Sequence, residues 1–512
     1  MTNNSVNNKR IAKNTLLLYF RMFLMMGINL YTSRLILQAL GVEDYGIYNI
    51  VGGVVALFSF ISGAMVAATQ RYLNFYIGKE DDIALRQVFN ASQIIHVVVA
   101  LIVILLAETI GVWFLYNEMV LPPSRLNAAF WTFQFSVIAT SFVVISYPYN
   151  ATIIAHEQMG AFAYVSILEA ILKLLIVFLL YISPCDSLKL YGFLFMTVQI
   201  IVTLTYRIYC RRRFKETKFE CKNIPKSLYK ELVCFSGWNF LGNIANVCLM
   251  QGTNILLNLF FGPTVNAAKG ISVQVQNAVS AFCNNFQMAQ NPQIVKCYAA
   301  GETQEMHKLI FRVSRFSFYL VLLFTIPIIM KTQAILDIWL KNPPEYASVF
   351  VQYTMLFTLV QSLATPLATG SIATGNVKVI MSVIAVFFWM IIPLGYIVLK
   401  LGYSPISLFQ VQLLLYIVAQ FMRVIIVSKQ IGFSKMYYLK KVIYPILYVS
   451  IITFPISFLI SLLFSNSFVG VLSFSIACVG LSIGIIMGIG VSKHERIVIL
   501  NFVKHKILKK HD

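Results

Sequence analysis

What constrains this chain most is a succession of apolar stretches, each long enough to cross a bilayer, joined by short polar connections. A bilayer core takes about 20 mostly apolar residues per helix. Fourteen stretches meet that requirement, at roughly 14–37, 45–69, 88–116, 128–154, 161–183, 189–210, 233–261, 265–298, 309–330, 346–375, 378–399, 405–427, 441–464 and 467–491. Barrel strands are excluded, because they need alternation over about 10 residues. Spans seven and eight are rich in Asn and Gln and are the least apolar. Of 512 residues, 59% are hydrophobic and only 12% are charged, too little polar surface to cover soluble domains of that length. The expected fold class is an all-α integral membrane protein with about fourteen transmembrane helices and essentially no soluble domain.

Basic residues set the expected orientation. With the N-terminus cytoplasmic, the inside loops and both tails hold about 31 of the 40 Lys and Arg. The outside loops hold only Arg125, Lys189, Lys331, Lys341 and Lys400. That asymmetry accounts for the net charge of +21 and argues against nucleic acid as a partner, since the charge is spread over loops. The expected location is the cell inner membrane, multi-pass, with both termini cytoplasmic. The first apolar stretch is too long for a cleaved signal peptide. The eight cysteines form no CxxC pair and read as small apolar fillers.

The longest basic loop, 211–232, divides the chain. The expected organisation is an N-terminal lobe over 1–210 (helices 1–6), a cytoplasmic linker over 211–232 and a C-terminal lobe over 233–427 (helices 7–12). Two further helices follow over 428–491, then a basic amphipathic tail over 492–512 that lies on the inner leaflet. A weak repeat relates the halves. Thr32 and Gly41 match Thr253 and Gly262 at an offset of 221, while Gln70 and Gly78 match Gln293 and Gly301 at 223, so the alignment needs a two-residue slip. Both halves start inside, so the repeat is parallel, a transporter signature.

The loops are too short to hold a catalytic domain. No Walker A loop, HExxH or GxSxG occurs, and no metal or cofactor set is evident. His96 and Glu108 fall inside span three and Glu169 inside span five. A transporter is expected rather than an enzyme.

Charges within the spans are costly, at least about 2.5–3.5 kcal/mol at mid-bilayer, and should face a cavity or a partner. Among the basic ones are Arg21 and Arg34 on span one, Lys173 on span five and Lys269 on span eight. Glu169 and Lys173 are one turn apart on one face. They read either as a self-neutralising pair or as an ion-coupling carboxylate beside an anion-binding lysine. Arg34 either snorkels to the outer interface or faces a cavity. Arg21 lies deeper, and on a straight helix the two arginines point about 140° apart. On span eight Lys269, Gln276, Ser280, Asn284, Gln287 and Asn291 form one polar stripe. It serves either as interhelical glue or as the wall of a hydrated cavity. Amides suit sugar hydroxyls, and cations suit phosphate.

The segments YTSRLILQALGVEDYGIYNIVGGVV and ATQRYLNFYIGKED, with NPQIVKCYAAGE closing span eight, resemble those of bacterial polysaccharide repeat-unit flippases. These are the O-antigen and capsule exporters of the multidrug/oligosaccharidyl-lipid/polysaccharide (MOP) superfamily. The resemblance implies two pseudo-symmetric six-helix lobes plus two terminal helices, the MATE/MOP-like arrangement, and alternating access to a cationic cavity. The implied cargo is an undecaprenyl-pyrophosphate-linked oligosaccharide moved from the cytoplasmic to the periplasmic leaflet, driven by an ion or proton gradient or the membrane potential. Membrane lipids and other polysaccharide-assembly proteins are the further implied partners. By position the resemblance places pyrophosphate contacts at Arg21 or Arg34 and at Lys269. From the residues themselves come Lys173, Gln276, Asn284, Gln287 and Asn291 as further substrate contacts, and Glu169 for coupling. A multidrug–cation antiporter of the same superfamily is the alternative, against which the mostly positive intramembrane charge speaks.

Overall fold

A computed structural model describes residues 2–117, 122–218, 224–340, 343–493 and 495–497. Scattered side chains of the first and seventh helices lie outside the description, including that of Arg34, as does most of the expected tail over 492–512. Among the described residues every regular element is helical. In lipid a backbone has no water to bond, so apolar runs of this length must satisfy their amides internally.

Helix α1 covers Thr2–Gly78 and is two helices in fact, because Gly41 interrupts it at φ 74°, ψ 170°. Only glycine enters that region without strain. Next come α2 (Asp82–Leu106), which passes through a π-turn over Ala107–Gly111 into α3 (Val112–Asn117), and then α4 (Leu126–Ala155), α5 (Met159–Ile182) and α6 (Ser187–Arg213). The second half opens with α7 (Lys226–Ala299), followed by α8 (Thr303–Met330) and the short α9 (Thr332–Leu340). After these come α10 (Ala347–Ser362), α11 (Ala364–Thr374), α12 (Lys378–Lys400) and α13 (Ile406–Ile431). The chain closes with α14 (Lys435–Tyr438), α15 (Tyr444–Ser461) and α16 (Phe468–Ile485). Side-chain caps mark several starts: Asp81 accepts from Ala84 N, Asp186 from Leu188 and Lys189 N, and Ser467 from Gly470 N.

Eleven of the described helices are long and apolar enough to cross a membrane. The expected spans outside that set are 14–37 and 45–69, which share α1, and 265–298, the amide-rich part of α7. The chain is a multi-pass membrane protein.

Two compact units emerge. The first comprises Met1–Phe240 and Met288–Glu302, and the second Leu241–Gln287 and Thr303–Asp512. Helix α7 therefore leaves the first unit after Phe240 and re-enters it at Met288. In the first unit α4 packs on α6, α1 and α2, and α5 packs on α1 and α6. Phe133, Val137, Leu115 and Leu188 form a dry core there. Above it the Arg125 guanidinium joins three elements: Nε donates to Asp44 Oδ1 at 2.8 Å, and Nη1 to Asp186 Oδ2 at 2.7 Å. In the second unit α12 packs on α13, and α8 packs on α10, α15 and α16. Arg315 ties α8 to Glu495 at 2.5 Å, and Tyr319 donates to the Gly490 carbonyl at 2.9 Å.

The repeat is cleaner in the backbone than in the letters. After α1, the amides of Lys79, Glu80 and Asp81 donate to the carbonyls of Phe75, Ile77 and Tyr76. After α7, those of Ala300, Gly301 and Glu302 donate to Lys296, Tyr298 and Cys297. Each pair differs by 221 (for example 301 − 80 and 298 − 77), the offset already seen for Thr32 and Thr253. Glu80 and Gly301 both take positive φ, 56° and 77°. The two-residue slip is thus corrected: Gly301 corresponds to Glu80, and Gly78 corresponds to Ala299. The letters mislead because the left-handed position holds glutamate in one half and glycine in the other.

Candidate functional site

Each unit contains a polar cavity with a basic residue in its wall. In the second unit the cavity measures about 220 Å³. Its polar lining is Thr253, Asn254, Lys269, Ser272, Gln276, Tyr353, Thr354 and Gln412, and Phe357, Phe409 and Leu249 close it with apolar surface. Lys269 is only 7% exposed. Its ammonium donates to the Met250 carbonyl at 3.1 Å and to the Thr253 hydroxyl. An ammonium has three N–H donors, so one is left without a protein acceptor among the described residues. None of the described lining residues is acidic. A buried ammonium held by neutral oxygens alone is costly, and an incoming anion would offset that cost.

Helical spacing explains how the wall is built. Lys269, Ser272 and Gln276 recur at steps of three and four on α7, so they share a face. Gln276 donates to Gln361 at 3.3 Å, which ties that face to α10. The remaining stripe residues part company with them. Gln287 donates to Ser317 Oγ at 3.0 Å and to the Ser362 carbonyl at 2.9 Å, a buried tie between α7, α8 and α10. Asn284 is exposed. Asn291 is half-buried, engaged with neighbours, and lies in the Met288–Glu302 stretch of the first unit.

The first unit's cavity is larger, about 520 Å³, and is lined by Arg21, Tyr48, Ser136, Thr140, Ser166, Glu169, Gln199 and Tyr206 among others. Arg21 donates to Ser166 Oγ at 3.0 Å, and its guanidinium stacks 4.4 Å over the Phe162 ring. Its Nε is buried without a partner. Glu169 accepts from Lys173 at 2.7 Å and from Gln199 at 3.3 Å. Lys173 lies 5.6 Å from the Phe195 ring, itself part of the lining. The structure therefore brings Arg21, Glu169 and Lys173 to one region and Lys269 and Gln276 to another. The Arg34 side chain is outside the described residues.

Several wall residues escaped the sequence reading. Gln199, Thr203 and Tyr206 recur at steps of four and three on α6, a polar stripe in an apolar span that the same periodicity argument would have found. Tyr353 and Gln412 stand beside other polar residues, Gln352, Thr354 and Gln410, and no periodicity singles them out. Tyr48 stands 221 residues before Lys269. The cavities thus place their basic residues at non-equivalent positions of the repeat.

Residues 240–397 match the MatE family model. No curated protein matches the chain in sequence. Solved structures resemble it closely in fold. A MATE protein in the bent conformation superposes with TM-score 0.74 at 11% identity, over 83% of this chain and 96% of that one. The Vibrio cholerae MATE transporter VcmN in its bent form gives 0.68 at 16% identity, over 86% and 100%. A MOP superfamily transporter from Pyrococcus furiosus, described as having a binding pocket of reverse polarity that suggests a different function, gives 0.67 at 13% identity, over 83% and 96%. The chain has the fold of these MATE proteins.

Proposed function

We propose that this protein is a transporter that works by alternating access and flips undecaprenyl-pyrophosphate-linked oligosaccharide from the cytoplasmic to the periplasmic leaflet of the bacterial inner membrane. The observation that carries this reading is Lys269, a buried cation in a cavity whose described lining has no acidic residue. Such a site repels cationic drugs and attracts phosphate. The Pyrococcus furiosus relative, with its reverse-polarity pocket, shows that this fold accommodates a change in pocket charge. Arg21 and Lys173 add positive charge in the first unit, where Glu169 is the acidic group suited to coupling an ion or proton gradient. The wall amides and hydroxyls, Gln276, Asn254, Thr253 and Gln412, suit sugar hydroxyls.

The test is reconstitution. Proteoliposomes are loaded with a lipid-diphosphate-linked oligosaccharide, and its appearance to a membrane-impermeant lectin is followed. Protein-dependent exposure supports the flippase. Its absence across a range of glycans, together with drug–proton exchange by the same vesicles, replaces this reading with the multidrug–cation antiporter, which Glu169 would then serve.

A further inference from the structure

Glu157 takes no part in either cavity, yet it is among the most constrained residues in the first unit. It forms the turn between α4 and α5 at φ 58°, a left-handed conformation that strains any residue with a Cβ. A similar turn before α12 holds Gly375 at φ 82°. The turns close alike: Glu157 N donates to the Ile154 carbonyl, and Gly375 N to that of Ile372. Glycine meets the backbone demand without strain, so the turn itself gives no reason for glutamate.

The side chain supplies the reason. Its carboxylate has no solvent exposure. Both oxygens accept from Gln293 Nε2, at 2.7 and 2.8 Å, and one accepts from Lys296 Nζ at 2.6 Å. Gln293 and Lys296 are three residues apart on α7, in the stretch Met288–Glu302. That stretch continues at both ends into residues of the second unit, Gln287 and Thr303. Only non-covalent contacts keep it in the first unit. Beside the clasp, Gly78 lies against the Lys296 backbone, where an added Cβ would come within 2.8 Å of the carbonyl oxygen. On the other flank His156 meets Glu216 at 2.5 Å, so this is the end of the unit that bears the basic linker.

We propose that Glu157 is a latch: it holds the Met288–Glu302 stretch of α7 on the first unit in one state of the transport cycle and releases it in the other. Breaking a buried ion pair is strongly unfavourable unless both partners regain water. Release therefore requires the linker end of the unit to open to solvent, which couples undocking to access from that side.

The test uses the full-length protein in proteoliposomes, with Cys297 as the sole remaining cysteine and a membrane-impermeant maleimide supplied on the linker side. Glu157→Gln and Lys296→Gln are expected to speed labelling about tenfold. The swap Glu157→Lys with Lys296→Glu is expected to slow it again. Equal rates in all four proteins would overturn the latch. Because the single variants could be lost to misfolding, a second arm places cysteines at 157 and 296 in an otherwise cysteine-free chain and bridges them with a short bis-methanethiosulfonate. Bridging is expected to stop transport and reductant to restore it; transport at the unbridged rate contradicts the proposal. This second arm rests on the flippase reading, whereas the labelling arm does not. Failure of the flippase alone therefore leaves the labelling result standing.

Discussion

Gly78 and Ala299 hold equivalent places in the two halves, and they touch. A Cβ on Gly78 would lie 2.8 Å from the Ala299 Cβ and 2.9 Å from the Lys296 Cα. Real Cβ atoms do not approach that closely, so glycine is required by proximity alone. Gly78→Val is expected to displace Met288–Glu302 and speed maleimide labelling of Cys297, with Gly78→Ala intermediate. Gly301 is the control. It has open space around it but φ of 77°, so Gly301→Ala should cost only about 1 kcal/mol of backbone strain and leave the labelling rate unchanged.

Gln287 separates stability from transport. Its amide bridges Ser317 and Ser362 and lines neither cavity. Gln287→Leu is expected to lower stability by about 0.6–2 kcal/mol, the range for hydrogen bonds between membrane helices, with the initial rate of flipping unchanged. Thermal unfolding in detergent and the lectin assay check the two halves of that statement. A large loss of rate at unchanged stability would return Gln287 to the substrate path.

Glu169 tests coupling. It stands between Lys173 and Gln199 in the wall that also holds Arg21. Glu169→Gln is expected to reduce gradient-driven flipping about tenfold, the scale of one lost charge-assisted bond, while downhill exchange without a gradient continues. Equal sensitivity of both processes would mark Glu169 and Lys173 as a pair that lets the helix insert.

The Arg125 hub gives a pH dependence with a definite sign. Burial opposes the charged Asp186 carboxylate, but the amides of Lys189 and Leu188 and the Arg125 guanidinium outweigh it, and its pKa falls below the ordinary 3.8. A depressed carboxylate contributes stability at pH values above its unfolded pKa, and loses it as pH falls through the folded value. Asp186→Asn is therefore expected to lower Tm by about 2–4 °C at neutral pH, with the gap from wild type closing only below pH 3.8. A gap that closes between pH 6 and 5 would assign the effect to another group.

Lipid-exposed helices wrote most of this fold into the sequence, because a span must be apolar over its whole length and its ends must carry the charge. The eleven long apolar helices were readable for that reason. Span eight was harder: its stripe is real, but one face of the span meets different neighbours along its length. Lys269 and Gln276 reach a cavity, whereas Gln287 reaches Ser317, and periodicity says nothing about what stands opposite. Glu157 was invisible for a related reason. It lies in a short turn, and its partners Gln293 and Lys296 are more than 130 residues away. The repeat was half legible, since the closing turns match in backbone geometry where their residues differ.

The lectin assay reads the anion contact at Lys269 directly. Flipping of the lipid-diphosphate oligosaccharide is compared in wild type, Lys269→Ala and Lys269→Arg at matched protein density. Loss of a charge-assisted contact predicts a drop of about tenfold or more for alanine, with arginine recovering a substantial part by keeping the charge. Equal rates in all three proteins would contradict the assignment of Lys269 as the anion contact.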